Sequence, residues 1–151
     1  MALRVVGLNG ELVNANSMPD DLILIPNFIH KGKYPLYDVS ARIIDIDDWK
    51  KNITQAMQTT KTVSIGNMTP GFATTTPIRL THHGKDFNFN IFYVARNGSW
   101  LQKLRMRWVG DGWASASRVA EGLGGGKELL QEVSANYPRG DNGNVDWGTT
   151  P

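Results

Sequence analysis

The sequence predicts a mainly β protein, an antiparallel β-sandwich with one inserted helix and a short C-terminal helix. Short runs of alternating polar and apolar residues recur along the chain and are separated by turn residues, which is typical of antiparallel sheets. The longest run, residues 86–109, contains Asn97-Gly98 near its centre and predicts a β-hairpin. The alternative is an α+β fold, in which an antiparallel meander carries its helices on one face.

The composition is that of an ordinary soluble globular domain. Of the 151 residues, 40% are hydrophobic and 20% are charged, and the net charge is +2. No run approaches the ~18 consecutive apolar residues of a membrane-spanning helix, and the absence of cysteine excludes disulfides and thiolate chemistry. We expect one sandwich domain over residues 1–137 and a flexible, glycine-rich tail over residues 138–151. The composition does not identify a cellular compartment, and it is compatible with a soluble domain of a cell-envelope protein.

The first part of the chain predicts a small hairpin and two strands. Asn9-Gly10 lies between two apolar pairs and predicts the hairpin over residues 3–14. Residues 22–30 predict a strand that Pro26 interrupts, because proline cannot donate to a sheet. Residues 36–46 alternate regularly and predict a longer strand.

A helix and two further strands follow. Asp47 predicts a helix cap, and the next apolar residues fall at the spacing of one helical face: Trp49, Ile53, Ala56 and Met57. Residues 62–65 predict a short strand, and residues 73–81 predict another that Pro77 breaks.

The hairpin over residues 86–109 has two unlike faces. A type I′ turn centred on Asn97-Gly98 pairs Phe89 with Met106. Because side chains alternate along a strand, one face becomes strongly apolar and is predicted to be core: Phe87, Phe89, Ile91, Tyr93, Trp100, Leu104, Met106 and Trp108. We call it the aromatic face.

The opposite face of the hairpin carries a basic, amide-rich strip. We call it the basic strip, and its members are Lys103, Arg105, Arg107, Arg96, Asn88 and Asn90. Clustered cations and amides can bind phosphates, acidic glycans or an acidic protein surface. The alternative is a solvated sheet face, or one covered by the helix that contains Trp49.

The C-terminal part predicts one strand and one helix. Residues 113–119 predict a third antiparallel strand. Residues 122–126 predict a flexible linker rather than a phosphate loop, because Glu121 and Glu128 replace the residues that such a loop needs. Residues 127–136 predict a short helix with leucines on its apolar side.

Two polar clusters are candidates for a catalytic or metal site. Asp45, Asp47 and Asp48 could bind a hard cation, but they lack the glycine and distal glutamate of a calcium loop and favour a helix cap. His82 and His83 are adjacent, so a strand points them to opposite faces and away from a shared metal. The sequence therefore predicts no catalytic residue, no metal and no cofactor.

Two turn motifs carry a family resemblance. The run Pro26–Val39 ends in Tyr-Asp-Val, and residues 65–71 are Ile-Gly-Asn-Met-Thr-Pro-Gly. Both resemble motifs of immunoglobulin-like, adhesion-type domains of bacterial membrane-anchored or surface proteins, over residues 22–119. The resemblance implies an immunoglobulin-like sandwich with a binding or spacer role, and it supplies no catalytic residues. The inserted helix departs from that pattern.

The first functional hypothesis is a non-enzymatic binding or interaction module, part of a larger bacterial assembly or surface protein. Its partner would be a protein, a second copy of the chain, or an acidic ligand, with no membrane insertion by this chain. One alternative is a small hydrolase that uses His82 or His83 with an acidic partner. The other is a weak polyanion binder that acts through Lys103, Arg105 and Arg107.

Overall fold

The computed structural model describes residues 3–6, 21–24, 27–75, 80–83, 86–110 and 112–148. The strands are β1 (Leu3–Val6), β2 (Asp21–Leu24), β3 (Asn27–His30), β4 (Leu36–Asp45), β5 (Lys61–Met68), β6 (Ala73–Thr75), β7 (Leu80–His83), β8 (Asp86–Ala95), β9 (Gly98–Val109), β10 (Gly112–Glu121) and β11 (Glu128–Val133). Two short helices, α1 (Ile46–Lys51) and α2 (Ile53–Thr59), lie between β4 and β5. The mainly β prediction is confirmed.

The strands form one large sheet and two small ones. The large sheet has six strands in the order β11-β10-β9-β8-β4-β5, all paired antiparallel. A three-stranded sheet has the order β1-β3-β6, and β2 pairs with β7. The predicted break at Pro26 falls between β2 and β3, whereas Pro77 and residues 7–14 of the predicted N-terminal hairpin lie outside the described residues. Neither helix in the described ranges is long and apolar enough to cross a membrane.

The central hairpin has the predicted faces but a shifted pairing. Ala95 pairs with Gly98 across a two-residue loop, and Phe89 pairs with Leu104 rather than with the predicted Met106. The register has therefore moved by two residues. Because the side-chain period of a strand is two, this shift leaves every side chain on its predicted face.

Asn97 fixes this loop because its side chain reaches the start of β4. Its amide group donates to the Pro35 carbonyl at 2.9 Å, and its oxygen accepts from the Tyr37 N–H at 3.3 Å. The predicted type I′ turn is wrong, since neither loop residue has a positive φ. Gly98 instead begins β9, where the Trp100 ring lies so close that a Cβ would be 2.7 Å from it.

The aromatic face forms the centre of the core. Phe28 of β3 meets Tyr93 of β8 edge to face, with ring centroids 6.0 Å apart, so the three-stranded sheet packs on this face. Most predicted members are buried: Phe87, Phe89, Ile91, Tyr93, Trp100 and Met106. Leu104 and Trp108 are half-buried.

The inserted helix is confirmed between β4 and β5, with different boundaries. Asp45 caps α1 in place of the predicted Asp47, because its carboxylate accepts from the N–H groups of Asp47 and Asp48 at 2.9 and 3.3 Å. A break at Asn52 then separates α1 from α2. The predicted continuous apolar stripe is wrong, since Met57 is 70% exposed.

The predicted C-terminal helix is also wrong. Residues 128–133 form β11, an edge strand of the large sheet, in which Leu130 pairs with Val119. Pairing with β10 overrides the helical spacing of the leucines, because tertiary context outweighs local propensity. Glu128 and Glu132 are exposed, and charged side chains are a common feature of edge strands.

Candidate functional site

The candidate site lies on the outer face of the six-stranded sheet, opposite the aromatic face. The register arranges the outer side chains in rows that cross the strands. Two neighbouring rows carry the site: Arg42, Phe92 and Leu101 in the first, and Ile44, Asn90, Lys103 and Arg118 in the second. Helix α1 and residues 134–148 cover other parts of this face.

Arg105 of the basic strip lies inside the protein, only 2% exposed. Its guanidinium donates to the Phe89 carbonyl at 2.8 Å, to the Asn90 side-chain oxygen at 3.0 Å and to the Trp147 carbonyl at 3.1 Å. Burial lowers the pKa of Arg105 to about 10, so the group remains protonated at neutral pH. Arg105 therefore fastens the segment that contains Trp147 to the sheet.

Arg107 and Asn88 are also engaged in internal contacts. The Arg107 guanidinium donates to the Asn88 side-chain oxygen at 2.9 Å and lies 5.8 Å from the centre of the Tyr137 ring. The Asn88 amide donates in turn to the Asp47 carboxylate at 3.1 Å. Asn88 thus connects β8 to helix α1, which confirms that this helix lies against the basic strip.

The two remaining cations of the basic strip lie in different places. Arg96 is in the hairpin loop and forms an exposed ion pair with Asp38. Lys103 is half-buried on the outer face and has no hydrogen-bond or ion-pair partner within the described residues. The structure therefore brings Asn88, Asn90, Arg105 and Arg107 together through internal contacts, and it places Lys103 beside them without a counter-charge from the described part of the chain. Ligand binding by the basic strip stays a prediction.

A groove of about 430 Å³ opens on the outer face, next to the basic strip. Its floor is formed by β4 and β8, and α1 and the β10–β11 loop contribute to its walls. The lining side chains that matter most are Arg42, Phe92, Val94, Trp49 and Leu123. Val94 is 45% exposed and Leu123 is 43% exposed, so the groove presents apolar surface to solvent.

The charge in the groove comes from Arg42. Its guanidinium carbon lies 6.0 Å from the centre of the Phe92 ring, the geometry of a cation–π contact. Arg42 forms no ion pair or hydrogen bond with any other described side chain. The groove thus combines a cation that has no ion-pair partner among the described residues with an aromatic floor and apolar walls.

Sequence reasoning missed this groove, although one signal was present. Phe92, Val94 and Leu101 are apolar residues on the otherwise polar face of the hairpin. Leu123 is supplied by the loop that was predicted to be a linker before a helix. That loop is a tight β10–β11 connection, in which the Glu121 N–H donates to the Lys127 carbonyl at 2.8 Å.

The clusters weighed as metal or catalytic sites do not assemble into a site within the described residues. Asp45 caps α1, and Asp47 accepts from Asn88. Across the described ranges, no group of three His, Asp or Glu side chains is placed to hold a metal ion. His82 and His83 end strand β7, and their side chains lie outside what the structure describes.

When the chain is compared with models of protein families, with curated proteins and with solved structures, no match is found.

Proposed function

We propose that this protein is a non-enzymatic binding module whose outer-face groove holds a segment of a partner protein. The observation that carries the proposal is the Arg42 guanidinium, stacked on Phe92 without a carboxylate partner in the described chain. Cations over aromatic rings recur in recognition sites, since the ring face favours positive charge. Exposed apolar side chains gathered in one concavity are likewise typical of interaction surfaces.

The chemistry of the groove indicates the chemistry of the partner. Apolar walls from Val94 and Leu123 complement a hydrophobic side chain, while Arg42 complements a carboxylate and can bind it with two parallel hydrogen bonds. The partner segment therefore places a large apolar residue beside Asp or Glu. Ser40 and Thr62 also line the groove and supply hydroxyl groups for the partner backbone.

The proposal extends to the wider role inferred from the sequence. Antiparallel, layered β domains occur in many cell-surface proteins that act through recognition. A place in a larger bacterial assembly or surface protein, and the immunoglobulin-like resemblance, belong to this proposal and are supported by the layered antiparallel sheets.

Selection of displayed random peptides on the purified protein tests the groove directly. We expect enriched peptides to pair an acidic residue with Leu, Phe or Trp, and calorimetry to show that Arg42→Glu weakens their binding at least tenfold. Phe92→Ala should weaken it as well, because the ring positions the guanidinium. Arg139→Glu is the matched control, since Arg139 is exposed and its guanidinium donates to the nearby Gly143 carbonyl at 3.2 Å.

The proposal fails if no acidic, hydrophobic peptide is enriched. It also fails if the enriched peptides bind the Arg42→Glu and Arg139→Glu variants equally well.

A further inference from the structure

Three hydrogen-bond donors lie side by side on the outer face, in the row next to the groove. Lys103 of β9 pairs with Asn90 of β8 on one side and with Arg118 of β10 on the other. Neighbouring strands are about 4.8 Å apart, so the three side chains emerge within a span of about 10 Å. Two of the three carry positive charge.

Each of the three has at least one donor atom that meets no hydrogen-bond acceptor within the described residues. Asn90 is 0% exposed, and its side-chain nitrogen has no hydrogen-bond partner. The Nε atom of Arg118 is likewise buried without a hydrogen-bond partner, although it forms an ion pair with the Glu128 carboxylate at 3.8 Å. Lys103 has no acceptor within the described residues. Buried donors without partners are rare in folded proteins and call for an unseen acceptor.

A small cavity lies beside two of these donors, Lys103 and Arg118, beneath the β10–β11 loop. Its volume is about 30 Å³, and its lining consists of Leu101, Lys103, Arg118, Ala120 and Gly125. A cavity of this size accommodates a single oxygen-sized atom. Its two polar lining side chains are both cationic, and the rest of the wall is apolar, which strengthens electrostatic attraction for an anion.

The positive charges around the cavity also favour an anion as the ligand. Burial lowers the pKa of Lys103, and the neighbouring Arg105 and Arg118 lower it further. The positive charge of Arg105 stays close to Lys103, because backbone carbonyls and Asn90 hold its guanidinium in place. An anion between the cations would offset the repulsion.

We propose that this cavity is an oxyanion-binding site, in which one oxygen of a carboxylate or phosphate lies between Lys103 and Arg118. The Asn90 amide nitrogen, across from Lys103 on the neighbouring strand, is a further unpartnered donor in the same row but lies outside the lining of the cavity. The site is separate from the peptide groove and does not depend on it. The site recognises a single oxygen atom of the anion, because the cavity admits one atom and leaves the rest of the anion at the surface.

Thermal unfolding in added anions tests the site. At constant ionic strength set with sodium chloride, millimolar inorganic phosphate or acetate should raise the Tm of the wild-type protein, because a ligand that binds only the folded state stabilises it. Lys103→Met should abolish the increase while keeping a side chain of similar length. Lys61→Met is the matched control, since Lys61 is exposed on an edge strand, and it should keep the full increase.

A second measurement guards against a variant that folds poorly. In the wild-type protein, the NMR signals of the Lys103 ε-methylene group should shift saturably with the same anions, while those of Lys61 should not. A response to phosphate alone assigns the site to a phosphate group, and a response to acetate alone assigns it to a carboxylate. A response to both supports a general oxyanion site.

The proposal is overturned if neither anion shifts Lys103 saturably. It is equally overturned if folded Lys103→Met responds as the wild-type protein does.

Discussion

Some residues in this protein are required by close packing rather than by their own backbone conformation. Gly98 is the clearest example, because its backbone does not have a positive φ and so does not require glycine for conformational freedom. Glycine is needed there because the Trp100 indole lies over it, with a ring atom 2.7 Å from where a Cβ would be. Trp100 is 3% exposed and has little space to move.

Gly98→Ala should therefore destabilise the protein by roughly 1–3 kcal/mol, the usual cost of forcing extra volume into a packed core. Gly112→Ala is the matched control, because Gly112 also begins a strand and nothing lies within 4 Å of its missing Cβ. It should be nearly neutral. Urea unfolding of the two variants gives the comparison, and equal losses would show that the Trp100 contact is not the cause.

At the scale of elements, the strand faces could be predicted from the sequence better than the element ends. The two-residue period identified the aromatic face even though the pairing was displaced, because a displacement of two keeps each side chain on its face. The turn itself depends on two hydrogen bonds of the Asn97 side chain, which donates to the Pro35 carbonyl and accepts from the Tyr37 N–H. Contacts across some sixty residues leave no local pattern, so they could not be predicted.

The cap of α1 gives a prediction for an element. Asp45 ends β4 and accepts from the first N–H groups of the helix, so Asp45→Ala should lower the free energy of unfolding by about 1 kcal/mol. Asp45→Asn keeps an acceptor oxygen at the same position and should retain most of the stability. Chemical denaturation of both variants checks this, and an equal loss in the two would indicate that the carboxylate charge, rather than capping, is what matters.

For the molecule as a whole, the outer face shows why the site was only partly predictable. The basic strip was identified from alternation, but alternation does not show what covers a face. Residues 134–148 cover Arg105 and Arg107, α1 contacts Asn88, and the groove remains between α1 and the β10–β11 loop. Its lining comes from five parts of the chain, namely β4, α1, β5, β8 and the β10–β11 loop, so only the folded chain brings Arg42, Trp49 and Leu123 together.

The contact between Arg105 and the C-terminal segment provides a test at this scale. Removing residues 146–151 takes away the Trp147 carbonyl, which leaves part of a buried guanidinium unpaired, and it also removes the packing of the Trp147 side chain near Tyr137. Arg105→Met removes the charge and keeps apolar volume. In a double-mutant cycle, the truncation should cost less in the Arg105→Met background, by about 1.5–3 kcal/mol, because hydrogen bonds to charged groups have that value. Urea unfolding of the four proteins gives the coupling energy directly. A coupling of zero would mean that the segment is held by Trp147 packing alone, and that Arg105 is satisfied by Phe89 and Asn90 without it.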